Sequence, residues 1–214
     1  MTHPYWTDEY WLLLLKLYKK KPEGMKPMFS RDLVNLSLEI HIPPQYIYKQ
    51  MFRLRHNDSP VLRLLWDTYG NNPKKLSRDV AKLRKMKGFG KPDEFYDGVE
   101  LHETFELDFR PLPQQPKLKP VMLIMILDLY FRLTPITMVP ETPEIRQLAK
   151  LMDISAEFVC EVMDVYQFCD PYLDRGDLMI NPLLLPCQEI WNRYGNDNPE
   201  KLSAVAAQLR EYFK

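Results

Sequence analysis

The sequence predicts an all-α protein, with at most a small β element, built as two tandem helical repeats of about five helices each. Two observations carry this. The chain contains itself twice: Trp66, Tyr69-Gly70-Asn71, Asn72-Pro73 and Lys75-Leu76-Ser77 return in order as Trp191, Tyr194-Gly195-Asn196, Asn198-Pro199 and Lys201-Leu202-Ser203. Between these segments, apolar residues recur at helical spacing, bracketed by capping residues and prolines. The 214 residues suit one large or two small domains, and 45% hydrophobic residues suffice for a core.

The repeat extends upstream. Leu15-Lys16-Leu17-Tyr18 aligns with Leu127-Asp128-Leu129-Tyr130, and the same offset of 112 pairs Leu36 with Leu148, Ile42 with Ile154 and Ile47 with Val159. At Trp66 and Trp191 the offset is 125, which places an insertion in the second copy near Pro171–Asn181. The first helix of each copy, Tyr10–Tyr18 and Val121–Leu133, is apolar almost all round and reads as a central buried helix. The second starts at Ser30 or Thr142 as its cap and runs to about Glu39 or Met152. The third starts near Pro43 or Ser155. The fourth starts at Ser59-Pro60, a cap with proline at the first helical position, and ends at Gly70 or Gly195 as a glycine commonly ends a helix. The fifth starts at Asn72-Pro73 or Asn198-Pro199. The repeated Tyr-Gly-Asn and Asn-Pro therefore form a helical corner, and backbone need accounts for their recurrence.

The first repeat spans 1–87, an acidic, proline-rich linker 88–118, and the second repeat 119–214. Weak alternation over Phe95–Phe109 predicts a short strand or hairpin, and Arg175–Ile180 predicts a second strand. Formal charge is zero overall but unevenly spread. Residues 1–91 carry 18 Lys and Arg against 8 Asp and Glu, whereas residues 92–110 carry 1 against 7 and residues 111–214 carry 10 against 14. A basic first half selects an anionic partner.

Several function classes are disfavoured. No apolar run reaches the roughly 18 residues of a membrane span, and no basic leader precedes an apolar stretch. Cys160, Cys169 and Cys187 lack paired spacing and read as free thiols of a cytoplasmic protein. His3, His41, His56 and His102 lack metal-ligand spacing. Neither a phosphate-binding glycine loop nor a nucleophile elbow occurs. The expectation is a non-enzymatic protein without cofactor or metal.

The second and third helices of each copy resemble the helix-turn-helix of bacterial DNA-binding proteins of winged-helix-like type. The small residue that the family needs inside the first of these helices is Ser37 or Ala149. The apolar residue after the turn is Ile42 or Ile154, and the β-branched residue facing back is Ile47 or Val159. The departure is at the turn, where the family favours glycine and this chain has His41 and Asp153.

The resemblance implies that the third helix enters the major groove. In the first copy that helix offers Gln45, Tyr48, Lys49 and Arg53, followed by Arg55, and the fifth helix adds Lys74, Lys75, Arg78 and Lys82 for phosphates. In the second copy the matching face carries Glu157, Glu161 and Asp164, which repel phosphate. The leading expectation is a transcriptional regulator that contacts double-stranded DNA through its first repeat, the second serving pairing or sensing. The alternative is a protein–protein adaptor with a protein partner and no nucleic acid.

Overall fold

A computed structural model describes residues 3–90, 104–173 and 180–214. The fold is all-helical, and no strand occurs among the described residues. The chain divides into two compact units, Met1–Glu106 and Leu107–Lys214. No helix among the described residues is long and apolar enough to cross a membrane.

The first unit is organised around α1 (Tyr10–Lys19), whose Trp11, Leu13, Leu14, Leu15 and Leu17 are all buried. Such a helix is stable only when neighbours cover every apolar side. These are α2 (Arg31–Ile40), α3 (Pro44–His56), α4 (Pro60–Tyr69) and α5 (Pro73–Leu83), all of which pack on it. On α5 the seam is Leu76, Val80 and Leu83, at helical spacing, and all three are buried while the other face is charged. By contrast α4 buries Leu62 alone, and Val61 and Leu64 stay more than half exposed. It is held by Trp66, whose Nε1–H donates to the Leu54 carbonyl at 3.0 Å and whose ring meets Tyr18 edge-on at 5.7 Å.

The second unit has the same element order about α7 (Pro120–Arg132), in which the ten residues from Val121 to Tyr130 are all buried. Asp128 lies inside that stretch, and its carboxylate accepts from Arg132 at 2.8 Å, so the charge is not left unpaired. Around it lie α8 (Pro143–Met152), α9 (Ala156–Cys169), α10 (Leu184–Tyr194) and α11 (Pro199–Leu209). Here α10 packs on both α7 and α9 and buries Pro186, Cys187, Ile190 and Trp191. Trp191 sits among Phe131, Tyr130 and Tyr166 at 5.4, 6.0 and 6.2 Å between ring centroids. The insertion falls in the α9–α10 connection.

Four sequence expectations need correction or placement. Thr104–Phe109 is a short helix, α6, not a strand, while residues 95–103 lie outside the described residues. The strand expected at 175–180 also falls outside them, apart from Ile180, which is irregular. Ser30 and Thr142 do occupy cap positions, but neither side chain accepts from its helix. Instead, the Thr142 hydroxyl donates to the Thr137 carbonyl at 2.5 Å. Caps do form at Ser59, Asn72, Ser155 and Asn198, where the side-chain oxygen accepts a backbone N–H of the first turn.

The fourth correction concerns why glycine recurs at the corner. Gly70 and Gly195 follow their helices in right-handed conformation, with φ of −54° and −67°, so no left-handed cap requires glycine. The requirement is steric. A Cβ on Gly195 would lie 2.7–2.8 Å from three atoms of the Trp191 indole. On Gly70 it would lie 2.6 Å from the Trp66 carbonyl oxygen and 3.0 Å from Cε3 of the Trp66 ring. The tryptophan four residues earlier folds over the glycine, which is why the two residue types recur together. Gly→Ala in a helix context ordinarily stabilises by up to about 1 kcal/mol. Here Gly70→Ala and Gly195→Ala each destabilise, by about 1–3 kcal/mol from overpacking, read as a lower urea midpoint followed by tryptophan fluorescence.

Candidate nucleic-acid interface

The candidate face rests on the junction of α2 and α3, where His41-Ile42-Pro43 forms a three-residue turn. His41 takes the left-handed conformation, φ 54° and ψ 39°, and Asp153 does the same between α8 and α9, φ 57° and ψ 45°. For an L-residue this conformation costs about 1–2 kcal/mol. Backbone bonds hold it: Ile42 N–H donates to the Ser37 carbonyl and Ile154 N–H to the Ala149 carbonyl, both at 3.1 Å. These close the end of each helix in the Schellman manner. Ser37 and Ala149 are buried, and the Ser37 hydroxyl donates to the Ile42 carbonyl. Ile42, Ile47 and Val159 are fully buried and Ile154 half-buried, so both turns are anchored by the apolar residues around them.

His41 adds a constraint that Asp153 lacks. Its Nδ1 lies 2.7 Å from Oε1 of Glu106 and its Nε2 3.0 Å from the Gly90 carbonyl. Both ring nitrogens thus meet oxygen atoms of other segments. Glu106 is buried. The pairing escapes sequence reading because 65 residues separate the partners. Arg84, just past α5, makes a two-pronged ion pair with Glu39 on α2, at 2.6 and 2.7 Å. It too has a partner 45 residues away.

On α3, Gln45, Lys49, Arg53 and Arg55 are exposed, and Tyr48 is half-buried against the first unit's core. Phe52 is 52% exposed and meets the His56 ring at a tilt, 4.3 Å between centroids. Lys49 and Arg55 have no ion pair among the described residues, so their charge faces solvent. Arg53 is engaged: it pairs with Asp58 at 3.1 Å, donates to Gln50 at 3.2 Å and lies over the Trp11 ring at 5.6 Å. Gln45 and Lys49 are one turn apart on one face of α3.

The α5 cations are more heavily committed. Arg78 pairs with Asp79 at 3.2 Å, and Lys82 approaches the same carboxylate at 3.9 Å. Desolvation pushes the Asp79 carboxyl up, but the hydrogen bond and charge of Arg78, the Tyr69 hydroxyl and Lys82 outweigh it and hold it below the usual range. Lys75 is half-buried over the Tyr69 ring at 5.0 Å, and Lys74 is exposed. Both α3 and α5 pack on α1.

In the second unit the matching face of α9 presents exposed Glu157, Glu161 and Asp164. The half-buried Cys160 thiol among them is raised by desolvation and then by Asp164, Glu141 and Glu157. The two faces thus differ in sign, as expected from their residues.

The two turns make different predictions for glycine. Asp153→Gly removes left-handed strain at an exposed side chain and raises stability by up to about 1 kcal/mol. His41→Gly removes the same strain but forfeits two buried-end hydrogen bonds, and lowers stability by about 1–2 kcal/mol. Urea unfolding of the two variants beside the parent checks both signs. Comparisons with protein-family models, with curated proteins and with solved structures return no match for this chain.

Proposed function

We propose that both units are domains of helix-turn-helix type and that the first binds double-stranded DNA through α3, as a transcriptional regulator. The observation that carries this reading is a set of exposed side chains on α3. Gln45, Lys49 and Arg55 stand exposed and without ion pairs, beyond a turn locked in left-handed conformation. A carboxamide one turn from an ammonium suits an adenine edge and a guanine or phosphate neighbour. Lys74, Lys75, Arg78 and Lys82 on α5 supply further phosphate contacts, those of Arg78 and Lys82 in competition with Asp79. The second unit, with Glu157, Glu161 and Asp164 in the matching place, takes a pairing or sensing role and stays off the duplex.

A specific observation favours a second reading, a protein–protein adaptor. Phe52, Val61 and Leu64 are 52%, 53% and 68% exposed on α3 and α4, which is costly to leave in water.

Fluorescence anisotropy with a mixed-sequence duplex separates the readings. DNA binding is expected at low salt and to weaken steeply as salt rises. Lys49→Glu with Arg55→Glu abolishes it, and Lys49→Ala alone flattens the salt slope by about 1. Arg53→Glu has the smaller effect of the α3 reversals, because that guanidinium is already held by Asp58 and Gln50. Absence of binding at low salt, or indifference to the double reversal, excludes the α3 face.

A further inference from the structure

The exposed sides of α3 and α9 carry opposite charge in one matching pattern. On α3, Phe52 stands three residues from Lys49 and three from Arg55, so its ring lies between an ammonium and a guanidinium on one side of the helix. All three side chains are exposed, and neither cation has an ion pair among the described residues. Arg53, beside them, is already held by Asp58.

On α9, Cys160 stands three residues from Glu157 and four from Asp164, with Glu161 next to it. The three carboxylates are exposed and Cys160 is half-buried. No carboxylate of the three has an ion pair among the described residues. Asp164 accepts from the neutral Gln167 amide at 3.3 Å. Lys117 lines the same recess as Glu157 and Glu161 and pairs with neither. Desolvation and the neighbouring acids hold the Cys160 thiol protonated, so a small side chain of apolar character sits among the charges.

The two sides are therefore complementary position by position: cation, phenyl ring, cation against carboxylate, thiol, carboxylate. Lys49 and Arg55 are about 9 Å apart along their helix, and Glu157 and Asp164 about 10.5 Å along theirs. Brought together, both cations meet carboxylates while the Phe52 ring covers Cys160. Burying that ring removes an apolar group that the single chain leaves 52% exposed.

We propose that the α3 side of one copy docks on the α9 side of a second copy, with Lys49 and Arg55 against Glu157, Glu161 and Asp164 around Phe52 and Cys160. The chain itself supplies the complement at matching spacing, and the charges that meet are those not held internally. This gives the pairing role proposed for the second unit a specific partner, and it stands whether or not α3 also binds DNA. Exposed ion pairs are individually weak and screened by salt, so the association is reversible and salt-sensitive. Because the two surfaces differ, copies close into a ring when every contact forms at once and otherwise extend head to tail.

Sedimentation velocity of the full chain, freed of nucleic acid, tests this. The parent self-associates with Kd below about 100 μM at low salt and disperses at about 0.5 M salt. Lys49→Glu with Arg55→Glu makes both sides acidic, and Glu157→Lys with Glu161→Lys makes both basic. Each variant alone associates at least about tenfold more weakly than the parent. Mixed in equal amounts they regain the association, because each then meets opposite charge at both contacts. If circular dichroism shows that a reversal does not fold, Lys49→Gln with Arg55→Gln, or Glu157→Gln with Glu161→Gln, takes its place and weakens association about threefold. The proposal is overturned if the parent is monomeric at about 200 μM and low salt, if either folded variant associates like the parent, or if the mixture of reversals stays monomeric. No readout here involves a duplex, so failure of the DNA reading and failure of this pairing are separately visible.

Discussion

Each unit depends on burying the apolar residues of one short helix. No single neighbour can cover α1 or α7, because their leucines, isoleucines and methionines project in every direction. Removing such side chains from water contributes about 1.5–3 kcal/mol each, but only once several helices have closed around them. That requirement dictates the order of amphipathic helices that follows. It also explains why α5 and α11, which supply the last wall, keep Leu76, Val80 and Leu83, or Leu202, Ala206 and Leu209, in the same register. What remains free to vary is the outer surface, and there the units diverge.

The turn between the second and third helices converts this packing into a set of outward-facing side chains. Ser37 and Ala149 lie in the core directly before the turn, and each passes its carbonyl to the residue beyond it. A left-handed residue there sets where the next helix starts, and hence which of its residues look outward. In the first unit His41 is additionally pinned by Glu106 and Gly90, so the direction of α3 is fixed from two sides.

Much of the helical order was legible because its signals are local. Proline after Ser59, Asn72 or Asn198 marks a helix start, and both caps and prolines stand where the sequence places them. Ile47 and Val159, which the helix-turn-helix resemblance turns inward, are buried. The misreadings have equally local causes. Alternation over a few residues does not distinguish a strand from the short helix at Thr104–Phe109. Gly70 and Gly195 were read as backbone punctuation, whereas their need is the indole lying against them. On the candidate face the residue types were readable but not their engagements. Arg53 and Arg78 resemble Lys49 and Lys74 as letters, yet Asp58 and Asp79 hold the first two and leave the others free.

The shallow seating of α4 has a further consequence. Leu62 is its single buried residue, Leu65, Trp66 and Tyr69 packing on the core only in part, whereas its counterpart α10 buries four. Its attachment rests on part-buried Leu65, Trp66 and Tyr69, with the Trp66 indole donating to Leu54 and the Tyr69 hydroxyl donating to Asp79 at 3.2 Å. Little apolar area must be uncovered to lift it away, so opening of α4 requires far less free energy than unfolding of the unit. Amide protons of α4 are therefore expected to exchange with solvent sooner than those of α1. The two units, alike in helix order, differ in how deeply this helix is seated.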